Sequence, residues 1–276
     1  MTPERLATAA VFRRLHEHGL LVLPNAWDAG SARLIESLGA KAVATSSAAV
    51  AWSHGYADGD LLPVPLLVAT VTEIARVVHL PLSVDVEGGY SSDAATVGEA
   101  VAAVVDAGAV GINIEDGAGD PASLCAKIES VKRAAARLGV DLFVNARTDV
   151  YLRGLVPVSR RVDETRARAE RYQAAGADGI FVPGVTDAAE IRAIASTVPL
   201  PLNVLARPGL PPASVLVELG ARRLSAGSGL AQAAFGTIAA LTSGFLTDGV
   251  SEPLAEGAML YAKINALLSS NSVRTG

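Results

Sequence analysis

The stretch Ser83-Val84-Asp85-Val86-Glu87-Gly88-Gly89-Tyr90 is an apolar run that ends in two carboxylates and two glycines. Side chains of a strand repeat every two residues, so this spacing predicts Asp85 and Glu87 on one side of a strand end. A second acidic pair, Glu115-Asp116, closes the run Gly111-Ile112-Asn113-Ile114. Any one of these acids could be a helix cap or a solvated loop charge. Acids ending two neighbouring strands in otherwise apolar text predict instead a carboxylate cage of Asp85, Glu87 and Glu115 around a hard cation, since buried unpaired acids are costly. Oxygen ligands favour Mg²⁺ or Mn²⁺ over Zn²⁺. His16, His18 and His79 are expected on helices and only His54 on the same face as the acids, which disfavours a histidine-ligated zinc site.

Arg147, in Asn145-Ala146-Arg147-Thr148-Asp149, is placed across from these acids if the strands close into a barrel. Its planar fork suits a salt bridge to Glu115 or Asp149, or the carboxylate or phosphoryl group of a ligand, and the two roles are compatible. Ser46-Ser47-Ala48 can be a simple turn, or can offer backbone N–H groups and a hydroxyl to an anion. The four lysines, Lys41, Lys127, Lys132 and Lys263, fall before a strand or on helices, which leaves none for a Schiff base. Cys125 lies in a helical pattern and reads as buried filler rather than a nucleophile.

The elements that must position these residues recur as a cycle of short apolar run, polar loop and helix. The runs are Leu21–Asn25, Ala42–Ser46, Pro81–Glu87, Gly111–Asp116, Asp141–Arg147, Gly179–Pro183, Leu200–Leu205 and Ala221–Ala226. Eight such units predict one closed (β/α)8 barrel of TIM type over residues 21–247, preceded by an N-terminal helix in 1–20 and followed by a C-terminal helix in 250–270. A doubly wound open sheet is the structural rival, and the count of eight decides against it. Glycines 39, 108, 139, 176 and 220 punctuate the helix ends in a regular rhythm. In such a barrel the chemistry sits at the carboxyl ends of the strands. There the sequence places Asn25 and Asp28, Ser46 and Ser47, Asp85 and Glu87, Glu115 and Asp116, Arg147 and Asp149, Asn203 and Arg207, and Ser225.

Of 276 residues, 18% are charged and the net charge is −5, which supplies no basic surface for nucleic acid or an anionic membrane. A small-molecule partner is expected. A single cysteine and a charged N-terminal stretch without an apolar core suggest the cytoplasm. The charge-free run Leu224–Thr247 is long enough to raise a membrane span, but its serines and glycines favour a buried strand plus helix.

Several pieces taken in order resemble the isocitrate lyase and phosphoenolpyruvate mutase superfamily in its shorter, phosphonomutase-like form. They are Leu23-Pro24-Asn25-Ala26-Trp27-Asp28, Thr45-Ser46-Ser47, Gly55-Tyr56-Ala57-Asp58, Asp85 to Tyr90, Gly111 to Asp116 and Asn145 to Asp149. The resemblance implies a barrel whose last helix, here 252–268, swaps between subunits of a homodimer or homotetramer. It implies Mg²⁺ bound most directly by Asp85, with Asp58, Glu87 and Glu115 holding its waters. It further implies a 2-oxo acid held by Ser46, Ser47 and Ala48, and a leaving group or second carboxylate on Arg147. Asp58, Arg147 and Glu115 are the expected catalytic residues, with Asp85 and Asn203 joining the substrate contacts.

Departures from the family pattern narrow the chemistry. The usual Asp-x-Asp is Asp85-Val86-Glu87. The Lys-Lys-Cys-Gly-His type segment of the carbon–carbon lyases has no counterpart, and the loop after the fourth strand reads Asp116-Gly117-Ala118-Gly119-Asp120-Pro121. The lysine-bearing gating loop of the mutases is missing too, as is an aromatic residue near Ala44, whose place Trp27 or Trp52 could take. The expectation is a Mg²⁺-dependent lyase of a small 2-oxo or 2-hydroxy dicarboxylic acid, working through an enolpyruvate-like anion by decarboxylation or carbon–carbon cleavage. Phosphorus–carbon bond chemistry and non-catalytic binding of a 2-oxo acid are the alternatives.

Overall fold

The computed structural model describes residues 3–269. The ends of the expected terminal helices, residues 1–2 and 270, lie outside them. The apolar runs become parallel strands: β1 (Leu21–Leu23), β2 (Asn25–Ala26), β3 (Val43–Thr45), β4 (Leu82–Asp85), β5 (Gly111–Glu115), β6 (Phe143–Arg147), β7 (Gly179–Phe181), β8 (Leu202–Leu205) and β9 (Arg223–Ser225). Their spatial order is β1-β9-β8-β7-β6-β5-β4-β3-β2. The first expected strand is split at Pro24, which lacks an N–H for the ladder. Its carbonyl still accepts from Ala44 N (3.3 Å). β1 therefore pairs with β9 and β2 with β3, and two halves of one strand close an eight-position (β/α)8 barrel.

Twelve α-helices occur among the described residues: α1 (Pro3–Arg14), α2 (Ala29–Ser37), α3 (Ser47–Ser53), α4 (Val64–Val77), α5 (Ala94–Ala107), α6 (Pro121–Arg137), α7 (Arg161–Ala174), α8 (Ala188–Thr197), α9 (Ala213–Glu218), α10 (Gly229–Asp248), α11 (Glu252–Ala255) and α12 (Tyr261–Ser269). Four begin at an aspartate whose carboxylate takes an otherwise unpaired N–H of the first turn: Asp28 from Ser31, Asp93 from Thr96, Asp120 from Ala122 and Asp187 from Glu190. Those acids are thereby structural. The main apolar core lies between the strands and the helix ring, with Val84, Ile112, Val144, Ile180 and Val204 alternating with the inward-facing polar residues of the same strands.

α1 closes the amino-terminal end of the barrel. Phe12 is fully buried against Leu21, Leu23, Ala42, Ala44, Val110 and Phe143. Gly111 must be glycine there, because a Cβ would stand 2.5 Å from the Phe12 ring. Arg13 pins the cap through Asp141 (2.7 Å) and Asp178 (2.9 Å). His16, His18 and His79 lie just beyond the ends of α1 and α4 rather than within them.

Three other expectations change. The polar loop expected after the second strand contains α3, an alanine-rich turn capped by Ser46, whose Oγ accepts from Ala49 N (3.4 Å). The single C-terminal helix is two, α11 and α12, with Gly257 between them at φ 70°. The helix after the eighth strand is not buried: Ala231 is the only buried residue of α10, while Leu230, Phe235, Ile238, Phe245 and Leu246 are exposed. α10 is also long and apolar enough to cross a membrane. α12 folds back beside α2 of its own chain, where Arg33 Nε donates to Leu267 O (3.2 Å).

Candidate active site

β4, β5 and β6 end side by side, in register Asp85 with Asn113 and Glu115 with Arg147. Asp85, 8% exposed, is fixed from its backbone, its N–H donating to Thr45 Oγ1 (2.9 Å). Its carboxylate takes Glu87 N (3.1 Å) and lies within hydrogen-bonding reach of Ser47. Burial raises its pKa, as does the charge of Asp58, while Arg147 acts the other way. Glu115 is pushed up to about 8 by burial, against the pull of Arg147, with Asp85, Asp149 and Asp58 adding repulsion. The charges of Asp58 and Asp85 thus oppose the ionisation of Glu115, and that of Asp58 opposes the ionisation of Asp85.

Arg147 stands beside these acids rather than across the barrel, because β5 and β6 are neighbours. Its Nη1 reaches Glu115 (2.6 Å), and its Nε and Nη2 edge is taken by Asp149 at 2.7 and 3.1 Å. Both expected salt bridges therefore form. Asp149 is itself fully buried and held in place, its N–H donating to Asp116 Oδ1 (3.0 Å) while Asp116 Oδ2 accepts from Arg168 (2.8 Å) and from the Tyr172 hydroxyl. This bracing reaches from α7 to the guanidinium. The sequence placed Asp116 at a strand end but missed its partners Arg168 and Tyr172, because their meeting depends on how α7 packs.

Glu87 does not share the strand face of Asp85. β4 stops at Asp85, and Glu87 is left-handed at φ 51°, which ends the two-residue repeat. Its Oε2 accepts from Gly59 N (2.9 Å) and Asp60 N, and its Oε1 from the Tyr90 hydroxyl (3.2 Å). Asp60 returns the tie by accepting from Gly88 N (3.1 Å) and Tyr90 N (2.9 Å), and Lys127 Nζ holds Gly88 O (2.6 Å). Gly88 leaves room for this contact, since a Cβ would lie 2.7 Å from Asp60 Oδ2. The segment carrying Asp58 is thus fastened to the β4 end by reciprocal carboxylate-to-backbone bonds.

Ser46, Ser47 and Ala48 are buried at the start of α3, beside Asp85. Asn203 lies deeper, 1% exposed, in a polar layer that also holds Asn113, Asn145, Arg223 and Ser225. Of these, Arg223 was missed in the sequence. The one signal was its place two residues before Ser225 on the same strand. Cys125 is half-buried on α6, its Sγ near Arg171 O (3.6 Å), and its thiol is raised by burial.

The donor set fits a hard divalent cation. Its groups are carboxylates, hydroxyls and backbone, and the mutual repulsion of Asp58, Asp85 and Glu115 is what a cation relieves. Among the described residues no three His, Cys, Asp or Glu side chains converge as a direct cage. The expected cage of Asp85, Glu87 and Glu115 therefore does not form, because the Glu87 carboxylate is taken by Gly59, Asp60 and Tyr90.

Fold and site define a barrel enzyme with an acidic mouth and an arginine braced beside it. The chain belongs to the phosphoenolpyruvate phosphomutase family, whose profile matches residues 12–246. It is 36% identical over 271 residues to an uncharacterised protein of Mycobacterium tuberculosis, covering 96% of this chain and 98% of that one. It is 32% identical over 241 residues to an oxaloacetate decarboxylase of Pseudomonas fluorescens, covering 83% of this chain and 75% of the relative. Among solved structures, a candidate phosphonomutase of Burkholderia cenocepacia superposes with a TM-score of 0.81 at 42% identity, over 86% of this chain and 99% of that one. A phosphonopyruvate hydrolase solved with oxalate and Mg²⁺ shares the fold, with a TM-score of 0.83 at 23% identity over 97% of this chain and 96% of that one.

Proposed function

We propose that this protein is a Mg²⁺-dependent lyase of a small 2-oxo dicarboxylic acid, with decarboxylation of an oxaloacetate-like substrate as its leading reaction. The observation that carries this reading is the pair of Asp85, buried, and Glu115, half-buried, beside a braced Arg147, with the charge of the exposed Asp58 acting on both. Asp85 would hold the cation directly, and Asp58, Glu87 and Glu115 its water shell. When bound, the cation supplies Lewis-acid polarisation of the substrate's oxygens.

The chain's own residues do the rest. Ser46, Ser47 and Ala48 bind the carboxylate and oxo group, and Asn203 supports them from below. Arg147 binds the second carboxylate and is kept from turning by Asp149. As the bond to CO₂ breaks, its electron pair moves into the carbonyl to give an enolate, and the polar groups around Ser46 stabilise that charge as it forms. Solvent then protonates the carbon. This sequence needs no general-acid cysteine, in keeping with the position of Cys125 on α6 and with the short loop after β5.

The exposed apolar side of α10 supports a homodimer or homotetramer in which a second copy covers it. A face carrying Phe235, Ile238, Phe245 and Leu246 is larger than scattered surface hydrophobics require.

The test is pyruvate release from oxaloacetate by purified protein with Mg²⁺, alongside a panel of 2-oxo and 2-hydroxy dicarboxylic acids. Release above the spontaneous rate, abolished by chelation and by Asp85→Ala, is expected. No product from any member of the panel overturns the lyase reading, and turnover of phosphonopyruvate instead would place the activity at a phosphorus–carbon bond.

A further inference from the structure

Arg223 is the largest of the fully buried side chains, 1% exposed inside the barrel, and it forms no ion pair among the described residues. A buried guanidinium without a direct ion pair is costly, and the carboxylate whose charge acts on it is Asp85. Its hydrogen bonds indicate what it does there.

Nη2 donates to Asn113 Oδ1 (3.3 Å), which also accepts from Asn145 Nδ2 (2.9 Å). Nε donates to Ser225 Oγ (3.1 Å), and Ser225 Oγ donates onward to Asn203 Oδ1 (3.1 Å). A guanidinium can only donate. Ser225 therefore accepts from it and turns its own hydrogen to Asn203, so the amide oxygen of Asn203 is held on Ser225. Asn203 Nδ2 is left buried without an acceptor among the described residues. A buried N–H without a partner is unfavourable, and it is tolerated where a ligand's oxygen is the partner.

We propose that Arg223 is a positioning residue which, through Ser225, fixes the Asn203 amide with its N–H groups turned to an oxygen of the bound 2-oxo acid. The assignment rests on the 2-oxo acid reading above. It makes β8 and β9 a donor relay rather than passive barrel wall. Arg223 Nη1 is likewise buried without a hydrogen-bond partner among the described residues, and the role proposed here rests on its Nε and Nη2 contacts alone.

The test is a double-mutant cycle on oxalate binding, measured calorimetrically with excess MgCl₂, using Ser225→Ala, Asn203→Ala and the double variant. Melting temperatures are recorded for all of them. Each single variant is expected to bind oxalate about tenfold more weakly, the scale of one lost hydrogen bond to a charged group. The double variant should be no weaker than Asn203→Ala alone. Arg223→Met and Arg223→Lys should show the same loss, because neither restores the Nε donor, and in any turnover assay the defect should fall on KM more than on kcat.

Multiplying effects of Ser225→Ala and Asn203→Ala would overturn the relay. So would wild-type affinity in Ser225→Ala beside a weakened Asn203→Ala, or unchanged affinity in Asn203→Ala. A wild-type protein that binds no oxalate would overturn both this role and the 2-oxo acid reading, whereas the other failures spare the latter.

Discussion

Glu115 gives the most direct handle on the acidic mouth. An ordinary glutamate titrates near 4.5, and burial pushes Glu115 up to about 8. Between those values the folded chain keeps a proton that the unfolded chain has released, so stability falls as pH rises through that window. At ~1.4 kcal/mol per decade, the gap corresponds to a few kcal/mol. Glu115→Gln mimics the protonated carboxyl and removes the dependence. In chelator, the two proteins should melt close together at pH 5. By pH 8.5 the variant should melt higher by about 10–20 °C, taking ~2–4 °C per kcal/mol for a domain of this size. Saturating Mg²⁺ should raise the wild type, by about 2.7 kcal/mol at a hundredfold excess over Kd, and raise the variant less. Scanning calorimetry from pH 5 to 8.5, with chelator and with Mg²⁺, measures all of this. Parallel melting curves for the two metal-free proteins across that range would refute the reasoning.

Replacing Asp149 with Asn weakens the two-bond clamp on Arg147; kcat/KM for the substrate should fall about ten- to hundredfold with Mg²⁺ affinity little changed, as kinetics and calorimetry together would report. Gly111→Ala drives a methyl into the Phe12 ring and should cost about 1–3 kcal/mol in denaturant unfolding without altering the mouth. Cys125→Ser should leave activity intact, and the thiol should react slowly with iodoacetamide at neutral pH. Phe235→Ser together with Ile238→Ser should shift the sedimentation profile to a smaller species if α10 joins subunits.

Much of this was legible because strand ends have a simple rule. Asp85, Glu115 and Arg147 each close an apolar run, and a barrel brings such residues to one face wherever its helices lie. Glu87 was not legible: its left-handed backbone is held by Gly59, Asp60 and Tyr90, contacts that exist only once the chain has folded. α3 could have been found from its alanines and the Ser46 cap, but the serine and glycine text around it read as loop. α10 was taken as buried because its composition is apolar, yet composition does not say which surface covers a helix. Arg223 was hidden for another reason. A charge within a short strand reads as an edge or a loop, and its place inside the barrel follows only from the alternation Arg223, Leu224, Ser225 around a closed sheet.

The split at Pro24 also orders events in time. β1 finds its partner in β9, roughly 200 residues later in the chain, so at ~5–20 residues per second a ribosome needs on the order of 10–40 seconds between making one edge and making the other. Throughout that interval the nascent sheet has a bare strand on one side, the kind of edge that recruits foreign strands. Closure through the β1 ladder therefore cannot precede the synthesis of Arg223 to Ser225. The same three residues that finish the wall also bring the buried guanidinium into place, so the polar layer beneath the mouth is assembled at the moment the barrel shuts.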